Sequence, residues 1–324
     1  MARQTEHGIT YVDETWNPMR GCDPNMPCAP NCWARRMAVR HEGVSTLPHL
    51  HGFVDRKTGN WTGKVSLIER ELDKLLHWMK PRRVAAAFMG DLFLLPHRDI
   101  DEVFTSMVAA PQHTYLVLTK QAKRMFEYFA SGRHDGGNGP DRATYHLDQD
   151  IRIGISARNQ PELEARITWL LKTPAEFRWV SLEPLLGSVD CNYALRDGVP
   201  TQEQIDDPLW AHYSRHGAPR VDHVIVGGES GPGARPMHPE WVRSVRDACV
   251  EAGVPFTFKQ WGEWVPREAH HPDNQPMVRL TRSGNNGQEL ENYGDGGDVW
   301  MQRVGKRAAG RLLDGREWNG DLHA

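Results

Sequence analysis

Short apolar runs recur along this chain, each stopping at glycine or a polar residue, and this repetition restricts the fold more than any other feature. Val84-Ala-Ala-Ala-Phe-Met89 runs into Gly90-Asp91, Thr114–Leu118 into Thr119-Lys120, and Ile151–Ile155 into Ser156. Phe177–Val180 leads to Ser181-Leu182-Glu183, Val221–Val226 to Gly227-Gly228-Glu229, and Pro255–Phe258 to Lys259-Gln260-Trp261. An opening strand near Thr10–Thr15 brings the expected number to six or seven. Between the runs, apolar residues recur at helical spacing: Ile68, Leu72, Leu75, Leu76 and Met79; Ile100, Val103, Phe104 and Met107; Leu163, Ile167, Leu170 and Leu171; Trp241, Val242, Val245 and Cys249. Pro239 suits the start of the last helix. Alternating strands and helices imply parallel β/α units, and the stripes read as core packing.

Polar residues gather just past the C-terminal end of strand after strand. A β/α barrel builds its active site there, and a doubly wound sheet also binds ligands at that end. Three regions look like insertions: 43–64, 131–148 and 190–220. From about 265 onward periodicity is weak, so 265–324 reads as a C-terminal extension beyond a main body at 1–264: a lid, an interaction segment or a loosely packed tail.

The net charge of −3 gives no global footprint for nucleic acid, though a local basic groove from Arg82, Arg83, Lys120, Lys123 and Arg124 is compatible with it. No stretch reaches the roughly 18 apolar residues of a membrane span. The N-terminus lacks the apolar core of a secretory signal. Five cysteines in 324 residues do not make a disulfide framework, and the clustering of three suits a reducing, cytoplasmic setting.

Those three lie in Trp16-Asn-Pro-Met-Arg-Gly-Cys22-Asp-Pro-Asn-Met-Pro-Cys28-Ala-Pro-Asn-Cys32-Trp33. Three thiolates in one loop can ligate three irons of a [4Fe–4S] cluster and leave the fourth iron open. A zinc site completed by His49, His51 or a fourth cysteine is the alternative at this point. Prolines 24, 27 and 30 stiffen the loop, and Gly21 permits a tight turn before the first thiol.

The run T-W-N-P-x-x-G-C followed by C-x3-C-W-A resembles the phage-associated three-cysteine-motif family. Met89-Gly-Asp-Leu-Phe93, Leu118-Thr-Lys120 with Arg124-Met125, Val180–Gly187, and Val226–Pro236 with Phe258–Gly262 also match, so the resemblance extends over roughly 10–265. The last cysteine gap is x3 where that family usually has x2, and Trp33 stands where tyrosine is usual. The family looks like a divergent branch of the radical-SAM superfamily. It therefore implies an α/β fold, an incomplete (β/α)6–7 TIM-like barrel. The implied chemistry is reductive cleavage of S-adenosylmethionine (SAM) to a 5′-deoxyadenosyl radical at a cluster held by Cys22, Cys28 and Cys32.

The resemblance also suggests roles. Trp33 would pack beside the cluster or adenine. Gly90 and Asp91 would receive the SAM amino group, with a helix cap as the plainer reading of Asp91. Ser156 and Asn159 would contact SAM, and Arg158 its carboxylate, although turn and cap chemistry explains each. Glu183 would touch SAM or substrate, with Lys120 or Lys259 as its partner. Gly227, Gly228 and Glu229 offer close backbone approach plus an acid, or simply a tight turn. Trp16, Asn17, Gln260 and Trp261 suit base stacking and core packing equally, while His113, His134 and His223 read as structural.

The phage setting implies a nucleobase or DNA-linked target, an isomerase- or lyase-type reaction, an electron donor such as a flavodoxin or ferredoxin, and no membrane partner. Photoproduct-lyase-like repair is a neighbouring option. A zinc-stabilised nucleic-acid-binding protein without catalysis is the rival from another class.

Overall fold

The computed structural model describes residues 11–26, 31–42, 44, 51–131, 150–195, 219–267, 276–282 and 298–320. Cys28, His49, His134 and most of the insertions at 131–148 and 190–220 lie outside them. Strand β1 (Glu14–Trp16) is followed by a short antiparallel pair, β2 (Met19–Arg20) and β3 (Ser66–Leu67). Then come β4 (Arg83–Ala86), β5 (Thr114–Thr119), β6 (Ile151–Ser156), β7 (Arg178–Leu182), β8 (His223–Gly227) and β9 (Phe256–Gln260). The main sheet has the order β1-β4-β5-β6-β7-β8-β9. That order follows the chain without reversal, whereas a doubly wound sheet reverses at a switch point. The chain is thus a mixed α/β protein whose parallel strands succeed one another as in a β/α barrel. Strands β6, β7 and β8 are buried throughout, which is why they read as unbroken apolar runs.

The chain divides into two compact units, Met1–Ile155 with Trp169–Arg178, and Ser156–Thr168 with Trp179–Ala324. In the first, β4 pairs with β1 and β5, and β5 with β6. Helix α1 (Trp33–His41) follows the cysteine loop, α2 (His97–Val108) precedes β5, and α3 (Ala122–Ala130) follows it. Ile100, Val103, Phe104 and Met107 all face the core, as their spacing predicts. Phe104 stacks on Tyr128 and meets Phe129 edge-on. The stripe from Ile68 to Met79 behaves differently. Glu69–His77 winds as a 3₁₀ helix, Leu75 is buried, and Leu76 and Met79 are exposed. Three residues per turn do not hold a 3.6-residue stripe on one face.

Helix α4 (Gln160–Lys172) follows β6, with Leu163, Ile167, Leu170 and Leu171 buried. In the second unit β7, β8 and β9 pair in parallel, with α5 (Asn192–Leu195) and α6 (Pro239–Ala252) beside them. Pro239 opens α6, and Gly253 ends it in the left-handed region at φ 66°. The described part of the segment beyond 264 falls within the second compact unit. It forms a sheet of β10 (Trp264–Arg267), β11 (Met277–Leu280) and β12 (Val299–Arg303), then α7 (Lys306–Ala309). Residues 312–320 then cover the free edge of β9. Phe258 N–H donates to Trp318 O at 2.9 Å, Gly320 N–H to Phe256 O at 2.9 Å, and Trp261 Nε1 to Leu312 O at 2.8 Å. Pairing the outer strand this way removes an exposed edge.

Candidate functional site

The cysteine loop is fixed by backbone contacts. Met19 and Arg20 pair with Leu67 and Ser66, and Gly21 then turns at φ 100°. A Cβ on Gly21 would lie 2.0 Å from Lys64 O, so only glycine fits. Gly21 also forms a parallel bridge with Gly90, where a Cβ would lie 2.4 Å from Met19 Sδ and 2.5 Å from Gly21 O. Asn17 Oδ1 accepts the Met89 N–H at 2.9 Å. The approach to Cys22 is thereby pinned to the chain just beyond β4.

Cys32 caps α1, its Sγ accepting the Arg35 N–H at 3.4 Å. Cys22 and Cys32 pack with Met37 against one apolar cluster of Ala34, Ala38, Phe53, Val54, Trp61 and Met89. Phe53, Val54 and Trp61 come from a tight turn closed by an antiparallel Val54–Trp61 bridge. The region expected as a peripheral insertion therefore supplies part of the surface on which both thiols rest. Trp33, the first residue of α1, is 49% exposed. Among the described residues no group of three His, Cys, Asp or Glu gathers as a metal site; the third thiol of the motif, Cys28, lies outside them. His51 Nε2 lies 3.0 Å from Val44 O.

Asp91 is buried, and its carboxylate meets three protein donors. Oδ1 accepts Thr119 Oγ1 at 2.5 Å and Phe93 N–H at 3.3 Å, and Oδ2 accepts Lys120 N–H at 2.8 Å. Burial raises its pKa, opposed by these hydrogen bonds and by the Lys120 charge. The Phe93 N–H bond caps the 3₁₀ turn Leu92–Leu94, the plainer of the roles expected for Asp91. Arg124 Nε donates to Phe93 O at 2.6 Å and locks the same turn.

Three of the five residues considered for a basic groove pair with acids. Arg82 pairs with Glu14 and lies over Trp78, Arg83 pairs with Asp13, and Lys123 with Glu127. Arg82 and Arg83 stand at the start of β4 and Lys120 follows the end of β5, so the parallel pair puts them at opposite ends. Lys120 makes no side-chain hydrogen bond or ion pair among the described residues.

In the second unit Lys259 Nζ lies 2.7 Å from Glu183 Oε1, and Ser181 Oγ donates to Glu183 Oε2 at 3.0 Å. The two charged side chains are 18% and 14% exposed. Lys259 is thus the partner expected for Glu183. Gly227 makes the room: a Cβ there would lie 2.8 Å from Glu183 Oε1 and 3.4 Å from Lys259 Cβ.

Gly228 and Glu229 both make close contacts within the second unit. A Cβ on Gly228 would lie 1.9 Å from Trp261 O, and Glu229 holds Arg235 through both oxygens at 2.7 and 2.8 Å. Asn159 Oδ1 accepts the Glu162 N–H at 3.1 Å in a turn that opens α4. Arg158 is committed to Glu162, which Arg166 also contacts at 3.0 Å. Burial opposes ionisation of Glu162, and these guanidinium groups outweigh it, holding its pKa below the ordinary value. Ser156 is buried, and its carbonyl accepts Arg166 Nη1 at 2.6 Å.

The stacking reading of the tryptophans gives way to the core reading. Trp16 is fully buried with its indole N–H on Glu71 O, and Trp261 is 6% exposed. Gln260 Nε2 donates to Gly228 O at 2.9 Å. His113 and His223 are buried within the packing, His223 Nε2 lying 2.9 Å from Thr257 Oγ1.

Sequence reasoning missed two features. Arg20, two residues before Cys22, is buried against His41, and burial lowers its pKa, with Glu42 opposing. Lys306 carries a second ammonium group into the electrostatic surroundings of Lys259 and Glu183. Neither has a signature in spacing.

Fold and site together define a parallel α/β protein with a glycine-pinned cysteine loop. The chain belongs to the family described as protein of unknown function DUF5131, which matches residues 6–321. No curated protein and no solved structure matches it. No described helix is long and apolar enough to cross a membrane.

Proposed function

We propose that this chain is a radical-SAM enzyme of the incomplete-barrel type, acting as an isomerase or lyase on a nucleobase in phage DNA within the bacterial cytoplasm. The observation that carries the reading is the anchoring of Cys22 and Cys32 on one apolar cluster by a loop that only glycine at 21 and 90 allows. The donor set fits the group: Cys22, Cys28 and Cys32 would hold a [4Fe–4S] cluster and leave one iron for SAM. When bound, the cluster supplies the electron that splits SAM into methionine and a 5′-deoxyadenosyl radical, the electron coming from a flavodoxin or ferredoxin.

The chain's own residues do the rest. The start of α1 favours negative charge on the Cys32 sulfur through the Arg35 N–H. Phe53, Trp61 and Met89 exclude water from the side of the loop they cover. Trp33 offers an exposed aromatic face for adenine next to Cys32. Gly90 lets the chain beyond β4 pack against Met19 and Gly21, and Asp91 orients the Lys120 segment through its N–H. Lys120 brings an ammonium group whose charge acts on Asp91. In the second unit Glu183, held by Lys259 and Ser181, is the group suited to bind a polar atom of the substrate. Ser156, Asn159, Gly227, Gly228 and Glu229 act as positioning residues.

The test is anaerobic purification with iron and sulfide analysis. A brown protein with about four irons per chain supports the reading. A colourless protein with about one zinc per chain overturns it and favours a zinc-stabilised nucleic-acid-binding protein.

A further inference from the structure

The cysteine loop and the segments around it carry a charge opposite to that of the whole chain. Residues 17–64 contain seven Arg and Lys against three acids, Asp23, Glu42 and Asp55, whereas the net charge of the chain is −3. All three carboxylates accept backbone N–H groups. Asp23 takes that of Asn25 at 2.8 Å, Glu42 that of Gly52 at 2.8 and 3.0 Å, and Asp55 those of Lys57 at 2.7 Å and Thr58 at 2.8 Å.

Helix α1, Trp33-Ala-Arg-Arg-Met-Ala-Val-Arg-His41, holds three of the arginines and no acid. Ala34 and Ala38 are buried, and Met37 packs with them against Phe53, Val54 and Trp61, so the apolar side of the helix is spent inside the first unit. Trp33, Arg36 and Arg40 stand at i, i+3 and i+7, one above another on a different face. Trp33 and Arg40 are exposed there, and Arg36 is half-buried. The turn 55–60 adjoins the same helix. Arg35 Nη1 donates to Asn60 Oδ1 at 2.7 Å, and a Cβ on Gly59 would lie 3.8 Å from Val39 Cγ2. That turn carries Arg56 and Lys57, both exposed.

We infer that the face of α1 at Arg36 and Arg40, with Arg56 and Lys57 on the adjoining turn, is a docking surface for the phosphate backbone of a DNA strand. Cations alone suffice to bind a polyphosphate, whereas a protein partner asks for an apolar centre depleted in charge, and that side of α1 is already buried. Three of the four cations are arginines, whose planar fork matches phosphate oxygens through two N–H groups. Trp33 ends the face next to Cys32, so a strand lying along α1 is led to the cysteine loop. The inference rests on the nucleic-acid part of the proposed function and deepens it by naming where the strand lies. It does not need SAM cleavage.

The experiment is fluorescence anisotropy of a short labelled single-stranded DNA with the full-length, anaerobically purified protein over a series of salt concentrations. Arg40→Gln and Arg56→Gln should each weaken binding about threefold and flatten the log–log salt dependence by about 0.7. The double variant should lose about twice that slope, and Arg40→Lys should keep it. Arg98→Gln, at an exposed position of α2, is the control and should leave the slope in place. Unchanged affinity and slope in the double variant overturn the surface, as does an equal loss in Arg98→Gln. Unchanged strand binding with slower reduction by flavodoxin would give the face to the electron donor and likewise overturn the inference. Wild-type protein that cleaves SAM yet binds no strand overturns this inference alone. Strand binding that depends on Arg40 without SAM cleavage overturns the radical reading alone.

Discussion

Gly21 and Gly90 run side by side in a parallel bridge, and a Cβ on either would collide with its surroundings. A methyl group on Gly21 would strike the Lys64 carbonyl, and one on Gly90 would strike Met19 and the Gly21 carbonyl. The position of Cys22 is therefore set by main chain packed on main chain. That explains how a loop rich in proline and asparagine can still present a thiol at a fixed place.

Replacing either glycine tests this directly. Gly21→Ala and Gly90→Ala should each lose about 1–3 kcal/mol in urea unfolding and retain less iron than the wild type. Gly187→Ala is the control, since a Cβ there meets only Asn159 Cβ at 3.5 Å. Equal stability of all three variants would remove the pinning argument.

Single Cys22→Ala, Cys28→Ala and Cys32→Ala variants should lose the visible absorbance of an iron–sulfur protein. Cys191 and Cys249 are buried in the second unit, and their replacement by alanine should leave that absorbance in place. Retention of the full spectrum in Cys28→Ala would eliminate the cluster assignment.

Much of this architecture was legible in the sequence. Strands buried on both faces read as unbroken apolar runs, and the polar residues that stop them mark the strand ends. The α2, α4 and α6 stripes were legible because an α-helix keeps its apolar residues on one face. The Glu69–His77 segment misled because a 3₁₀ helix eclipses every third residue. Trp16 and Trp261 were ambiguous because stacking and core packing both ask for an apolar face, and only the indole N–H partners decide. The tail read as loose because a few anchors, Leu313 and Met301 among them, do the packing amid glycine and arginine. Lys306 was invisible because tertiary folding alone brings it near Lys259.

The Glu183–Lys259 pair should behave as a coupled, mostly buried ion pair. Lys259→Met removes the cation 2.7 Å from Glu183 and should destabilise by about 2–4 kcal/mol. The double variant with Glu183→Gln should recover at least 1 kcal/mol or so of that loss. Strict additivity in a urea-unfolding double-mutant cycle would mean that the two groups do not interact.

Asp314 holds the C-terminal segment to α6 through Arg243 at 2.7 Å and through Arg246. The Arg243 hydrogen bond, with Arg246 assisting against burial, lowers its pKa from the ordinary 3.8. A depressed folded-state pKa makes the contribution full above the unfolded value and lost as pH falls through the folded one. Asp314→Asn should therefore lower stability at neutral pH and flatten its decline below about pH 4. An acid limb identical to the wild type would show that the clamp contributes nothing.

The central claim is tested most directly by SAM cleavage. Anaerobically purified protein is reduced with dithionite in the presence of SAM, and the products are separated by chromatography. Formation of 5′-deoxyadenosine and methionine, abolished in Cys32→Ala, is the predicted result. Intact SAM after reduction of a protein with its full complement of about four irons would contradict the account.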